Sequence, residues 1–186
     1  MSLRELQSQF ARLVTDDAYR ESLRHEAIGA ENRNLPHRLA ADAGVLAHAA
    51  TLKRKRAGAA AVRLPLVRHV LADQFFEQFD QFAGAHTLSR EQRYDRDALT
   101  FLTWLASRIP VDEQLKGIGP RLSQAIRINR HELTGRLRRA YIGIARVDGR
   151  QLPESARFPN GMCLCVWLRC PGSQSLRRFV LRMPFT

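Results

Sequence analysis

Apolar residues recur at intervals of three and four through roughly the first hundred positions and at intervals of two near the end, so the chain reads as helices followed by strands. In "SLRELQSQFARLV", Leu3, Leu6, Phe10, Leu13 and Val14 share one helical face, and Ser2 with Glu5 has the spacing of a capping box. A second helix is predicted over "TDDAYRESLRHEAI", with Thr15 or Asp16 as its cap. Pro36 is expected to open a long alanine-rich helix running towards "ATLKRKR", which would place Lys53 to Arg56 near its C-terminal end, where cations favour the dipole. Pro65 is expected to start another, "LPLVRHVLADQFFEQFDQFAGAH", with Phe75, Phe76, Phe79 and Phe82 as its core stripe. "YDRDALTFLTWLASRIP" is a further helix stopped by Pro110.

After Pro110 the texture changes. "DEQLKGIGPRLSQAIRINRHEL" reads as a helix, a glycine-rich turn and a second helix, and from Ala140 onward "AYIGIARV", "MCLCVWLRC" and "RRFVLRMPF" read as strands joined by turns. The predicted class is α+β: an N-terminal helical bundle followed by a small C-terminal antiparallel sheet. Its parts are a helical domain over 1–110, a helix-turn-helix connector over 111–135 and a sheet region over 136–186 packed on the helices. In the middle strand, Cys163, Cys165 and Trp167 face one way and Leu164, Val166 and Leu168 the other. Both faces are apolar, as expected of a central strand covered on both sides.

With Cys170 these are the only three cysteines in the chain, and their C-x-C-x4-C spacing lacks the paired C-x2-C arrangement and fourth ligand of a zinc site. They read as small core hydrophobes, and no metal site is expected. The N-terminus carries charge in its first turn and no apolar core, unlike a signal peptide; with unpaired cysteines this points to the cytoplasm. No apolar run is long enough to span a membrane.

Charge alters the picture more. Thirty Lys and Arg against eighteen Asp and Glu give +12, and Arg136–Thr186 holds ten arginines, no lysine and only Asp148 and Glu154 as acids. This tail predicts an acidic partner, whether nucleic acid, peptide or protein. Catalytic signals are missing: the six histidines are scattered on predicted helices, and neither G-x-S-x-G, a P-loop nor a dinucleotide fingerprint occurs. His48 and Asp42 are the one pair placed to face a pocket. The chain is expected not to be an enzyme by itself, with no catalytic residues of its own.

Two stretches carry functional signals. "LKGIGPRLSQAI" resembles a helix-hairpin-helix DNA-binding motif, with Leu115, Gly117, Ile118, Gly119, Ser123 and Ile126 in its places. Glycines let backbone approach a phosphate and helix-start amides receive it, so Gly117, Gly119 and Arg121 are the candidate phosphate contacts.

The second signal is longer. "LQSQFARLVTDDAYRESL", "ATLKRKRAGAAAVRLPLVRHVL" and "DALTFLTWLASRIP" occur in an order that resembles the small partner proteins of multinuclear non-haem iron enzymes that modify ribosomally made peptides. Within that family it resembles the partner proteins of methanobactin biosynthesis. Residues 3–108 carry the resemblance, most tellingly Leu52, Lys53, Arg54 or Arg56, then Leu64-Pro65 and Arg68. It implies a heterodimer in which a larger barrel subunit holds the iron and oxidises cysteine in a precursor peptide. This chain, with no cofactor of its own, would dock on that subunit and help hold the peptide's leader. Under this resemblance Lys53, Arg54, Arg56 and Arg68 are the enzyme-docking candidates. Arg146, Arg169, Arg177, Arg178 and Arg182 are the leader-binding candidates, since a leader can add a strand to a sheet edge.

Overall fold

The computed structural model describes residues 2–26, 35–86 and 94–183. They are mostly helical, with a small three-stranded antiparallel sheet near the C-terminus, which is the predicted class. Among the described residues nine helices run in order: α1 (Leu3–Thr15), α2 (Asp17–Glu26), α3 (Leu35–Ala40), α4 (Ala43–Arg63), α5 (Pro65–Leu71), α6 (Gln74–Ala85), α7 (Tyr94–Arg108), α8 (Glu113–Lys116) and α9 (Gly119–Leu137). The strands β1 (Tyr141–Asp148), β2 (Met162–Arg169) and β3 (Arg177–Arg182) follow. Among the described residues no helix is long and apolar enough to cross a membrane.

Local chemistry explains where the helices stop. The capping box is present: the Glu5 amide donates to Ser2 Oγ at 3.3 Å, and the Ser2 amide donates to Glu5 Oε2 at 2.7 Å. Asp16 closes α1 through its own amide and opens α2 by accepting the Tyr19 amide at Oδ1, 2.9 Å away.

Two predicted long helices are each broken. The alanine-rich one splits after Ala40, where Asp42 Oδ1 accepts the Val45 amide at 3.0 Å and caps α4 afresh. The phenylalanine-bearing one splits at Ala72, whose φ of 48° lies outside helical space. Helix α4 also runs on to Arg63, so Lys53–Arg56 sit in mid-helix, beyond the last turn in which the dipole acts. Phe75, Phe79 and Phe82 are fully buried as expected, but Phe76 is half exposed.

The contacts divide the chain into two units, Met1–Ala59 with Phe76–Gln92, and Ala60–Phe75 with Arg93–Thr186. In the first, Leu13, Val14, Leu23, Ala40, Val45 and Ala49 form a core cluster, and Phe79 meets Phe82 edge-on at 5.4 Å. In the second, α9 is the hub: it packs on α5 and α7 and also on β1 and β2. Phe75 meets Phe101 edge-on at 5.7 Å, and Leu102, Leu105, Leu122, Ala125 and Ile128 are buried with them. Fully buried Asn129 accepts the Val67 amide at Oδ1 (3.2 Å) and donates to Glu132 Oε2 (3.3 Å). Val67 is in the first turn of α5, where amides lack intrahelical partners, so a side chain of α9 caps α5.

The sheet order is β1-β2-β3, with Tyr141 opposite Arg169 and Asp148 opposite Met162 in the first pair, and Cys163 opposite Arg182 and Leu168 opposite Arg177 in the second. The inner face, against α9, holds Ala145, Val147, Cys163, Cys165 and Trp167, all buried. The expectation that β2 is covered on both sides fails. Ile142, Ile144, Phe179 and Leu181 on the outer face are 70, 60, 47 and 57% exposed, because the helices contacting the sheet lie against its inner face. The end of "RRFVLRMPF", from Pro184, lies outside the described residues.

Candidate functional site

Backbone pairing identifies what β3 offers. Its neighbour β2 is satisfied on both sides, and the Met183 amide donates to Met162 O at 3.0 Å in the same register. Antiparallel alternation then turns the backbone groups of Arg177, Phe179 and Leu181 towards β2, and those of Arg178, Val180 and Arg182 away from it. Among the described residues no strand pairs with that outer edge. The other edge differs. Gly149 N–H donates to Gly161 O at 2.8 Å, so Ile142, Ile144, Arg146 and Asp148 of β1 face outward. Two of these groups are taken by α9: Arg127 Nη1 donates to Arg146 O at 3.1 Å, and the Asp148 amide donates to Gln124 Oε1 at 2.7 Å. The freer edge is β3.

The five candidate leader-binding arginines divide in two. Arg146, Arg177 and Arg182 are exposed on the sheet. Arg169 donates to Gly135 O (3.1 Å), Arg136 O (2.5 Å) and Ser173 O (3.1 Å), satisfying carbonyls in the last turn of α9. Arg178 pairs with Glu132 at 3.2 Å, donates to Ala156 O at 3.2 Å and lies over the Phe158 ring. These last two side chains are occupied by the fold.

Behind the sheet, a cluster that the sequence did not signal fixes β1 and β2. The His131 ring stacks on Trp167 with centroids 4.6 Å apart and planes 8° from parallel, and its Nδ1 lies 2.6 Å from Tyr141 Oη. Gly143 sits directly beneath: a Cβ there would collide with His131 Nδ1 and come within 2.8 Å of Tyr141. Burial, then Arg127 and Arg130, hold the His131 pKa below its usual value, while burial pushes Tyr141 up. A neutral imidazole and a phenol share one short hydrogen bond here. Because the unfolded chain takes the proton first, this group adds stability above about pH 6.5, which is lost as pH falls from there through the folded pKa. Unfolding measured from pH 7.5 to 5 is expected to show stability declining with acid, and less steeply in H131N; an equal slope in the variant would assign the decline elsewhere.

Cys163 and Cys165 are inert. Buried Cys165 is pushed up to about 11, by desolvation first and then by Cys163, and burial likewise raises Cys163. Cys170 is exposed. Among the described residues no group of three or more His, Cys, Asp or Glu side chains is placed to hold a metal.

The candidate docking residues also differ in availability. Lys53 is tied to Asp17 and lies 3.5 Å from Asp80. Arg56 is 7% exposed, donating to His86 O at 3.1 Å beside the Phe79 and Phe82 rings. Arg54 and Arg68 are exposed, on α4 of the first unit and α5 of the second respectively. His48 is exposed and Asp42 serves as a helix cap, so these two form no pocket pair.

At the glycine turn, α8 is a single turn of four residues rather than a full first helix. Gly117 has ordinary right-handed geometry (φ −61°), with open space where a Cβ would go, whereas a Cβ on Gly119 would press on Ile109 at 3.1 Å. The start of α9 has no side-chain cap and borders a cavity of about 360 Å³ lined by His69, Ile118, Arg121, Arg150 and Glu154.

Sequence reasoning missed the outer sheet face, although β1 held the sign. Its two central inward positions are the small Gly143 and Ala145, between Tyr141 and Val147 on the same face, while the large Ile142 and Ile144 point outward. The two small residues let the helix approach closely.

Residues 32–107 are similar to the family model described as "SCO6045-like, C-terminal domain". The match falls within residues 3–108 but spans less than half the chain, leaving out α8, α9 and the sheet. No curated protein and no solved structure matches.

Proposed function

We propose that this chain is a non-catalytic partner subunit of an iron-dependent oxidase that modifies cysteine in a ribosomally made precursor peptide of the methanobactin type. It works in the cytoplasm, docks on the oxidase and holds the peptide's leader as an added strand. The iron belongs to the larger subunit. The supporting observation is the open β3 edge, with outward backbone groups at Arg178, Val180 and Arg182 and exposed Arg177 and Arg182 beside it. An extended acidic leader finds backbone partners there, and the arginines accelerate encounter. The resemblance over residues 3–108 supplies the class of partner, and Arg54 and Arg68 are its exposed docking candidates.

Proline at an outward position tests this directly, because an edge strand tolerates it where the lost N–H faces solvent. Val180→Pro is expected to keep the circular dichroism of the parent while weakening leader binding at least about tenfold, equivalent to about 1.4 kcal/mol. Phe179→Pro, which removes an amide facing β2, is expected to disrupt the sheet itself. Undiminished leader binding by folded Val180→Pro would count against strand addition.

A second reading, nucleic-acid binding at the Gly117–Gly119 turn, has the uncapped start of α9 and its neighbours Arg121, Arg150 and His69 in its favour. It requires affinity for duplex DNA that falls steeply with salt and is lost in the double substitution Gly117→Val with Gly119→Val.

A further inference from the structure

The outer face of the sheet is laid out as a grid. Across the strands, Ile142, Leu168 and Arg177 form one row, Ile144, Val166 and Phe179 the next, and Arg146, Leu164 and Leu181 the third. Seven positions are apolar, and the two arginines occupy diagonally opposite corners. We infer that this face is a docking surface for an amphipathic helix of an acidic protein partner, its apolar stripe along Leu164, Val166 and Leu168 of β2, with Ile144 and Phe179 on either side, and its carboxylates at Arg146 and Arg177.

Three features select that occupant. The first is layering: α9 covers the inner face, and a sheet apolar on both faces is completed by a second helical layer. The second is size. From β1 to β3 is about 10 Å, the width of one helix. Arg146 and Arg177 stand four residues apart along the strands, about 13 Å, which a helix covers in about nine residues. Nine residues turn a helix by about 900°, which brings the second position to the opposite flank of the apolar stripe. A helix with acids about nine apart, one on each flank, therefore meets both arginines. The third is charge. Arginine forks pair with carboxylates in a bidentate manner, whereas a second copy of this chain would bring the same arginines and the same +12 excess.

This surface shares Arg177 with the proposed peptide-binding edge but is otherwise distinct from it. The face consists of side chains at alternate positions, and the edge of backbone groups at Arg178, Val180 and Arg182. Neither inference depends on the other.

The probe is a synthetic amphipathic helix of about five turns with a leucine stripe flanked by glutamates, together with a twin flanked by lysines; binding is read by fluorescence anisotropy. The glutamate peptide is expected to bind and the lysine peptide not to bind. Ile144→Asp with Phe179→Asp is expected to weaken binding at least tenfold. Arg146→Glu with Arg177→Glu is expected to reverse the preference, and because both side chains are exposed this variant serves even if the first misfolds. Val180→Pro is expected to bind the helix normally, separating this result from strand addition. Equal binding of the two peptides, or an unreversed preference in the charge-swapped protein, overturns the inference. So does a dimer in sedimentation that Ile144→Asp dissolves, which would identify a second copy as the occupant. Binding to vesicles of phosphatidylcholine and phosphatidylglycerol that is lost in the same variant would overturn it in favour of a membrane.

Discussion

Replacing Trp167 with alanine is expected to lower the stability of the sheet-bearing unit by about 3–5 kcal/mol. The indole is fully buried on the inner face of the central strand, between Gly143 of β1 and Arg178 of β3, and stacks on His131. Its removal leaves a void bounded by α9 and two strands that are hydrogen-bonded in place, so the site cannot collapse. Trp167→Phe is expected to cost far less, below about 1.5 kcal/mol, since it keeps an aromatic ring against His131. It also loses no hydrogen bond, because Trp167 Nε1 has no partner among the described residues. Urea unfolding followed at the sheet measures both; a loss under about 1 kcal/mol for the alanine variant would mean that the ring does not hold this face together.

Gly149→Ala is expected to cost about 2–3 kcal/mol, the upper part of the range for an over-packed site. Gly149 follows the last residue of β1, and a Cβ there would run into the carbonyl oxygen of Pro159, lie 3.0 Å from the carbonyl carbon and 3.3 Å from Phe158 Cβ. The obstruction is main chain, which cannot rotate aside as a side chain can. Relieving it pulls apart the Gly149–Gly161 hydrogen bond that continues the β1–β2 ladder. Gly117→Ala is the control. Open space and right-handed φ at that position predict a small gain, about 0.5–1 kcal/mol. Unfolding midpoints that shift together in the two variants would contradict this account of the glycines.

Much of the architecture was legible because it rests on local chemistry. Ser2 with Glu5, Asp16 and Pro65 are stop and start signals that act within one turn, and the period-two pattern after Ala140 marks three strands. The errors came where tertiary context decides. Asp42 acts as a cap and Ala72 adopts positive φ in sequences that could continue as helix. The alternation of apolar residues in β2 shows two greasy faces but not which of them a helix covers. In the candidate site, composition cannot separate Arg169 and Arg178, which satisfy carbonyls and a carboxylate within the fold, from Arg146, Arg177 and Arg182, which are exposed. The free edge became visible only through register, since a shift of one residue would exchange inward and outward backbone groups.

The most direct measurement is amide hydrogen exchange along β3 by nuclear magnetic resonance, with and without a synthetic acidic leader peptide of the proposed methanobactin type. Strand addition predicts that the amides of Arg178, Val180 and Arg182 slow markedly on binding, while those of Phe179 and Leu181, already bonded to β2, change little. Binding that leaves the three outward amides exchanging as before would contradict a leader held at this edge.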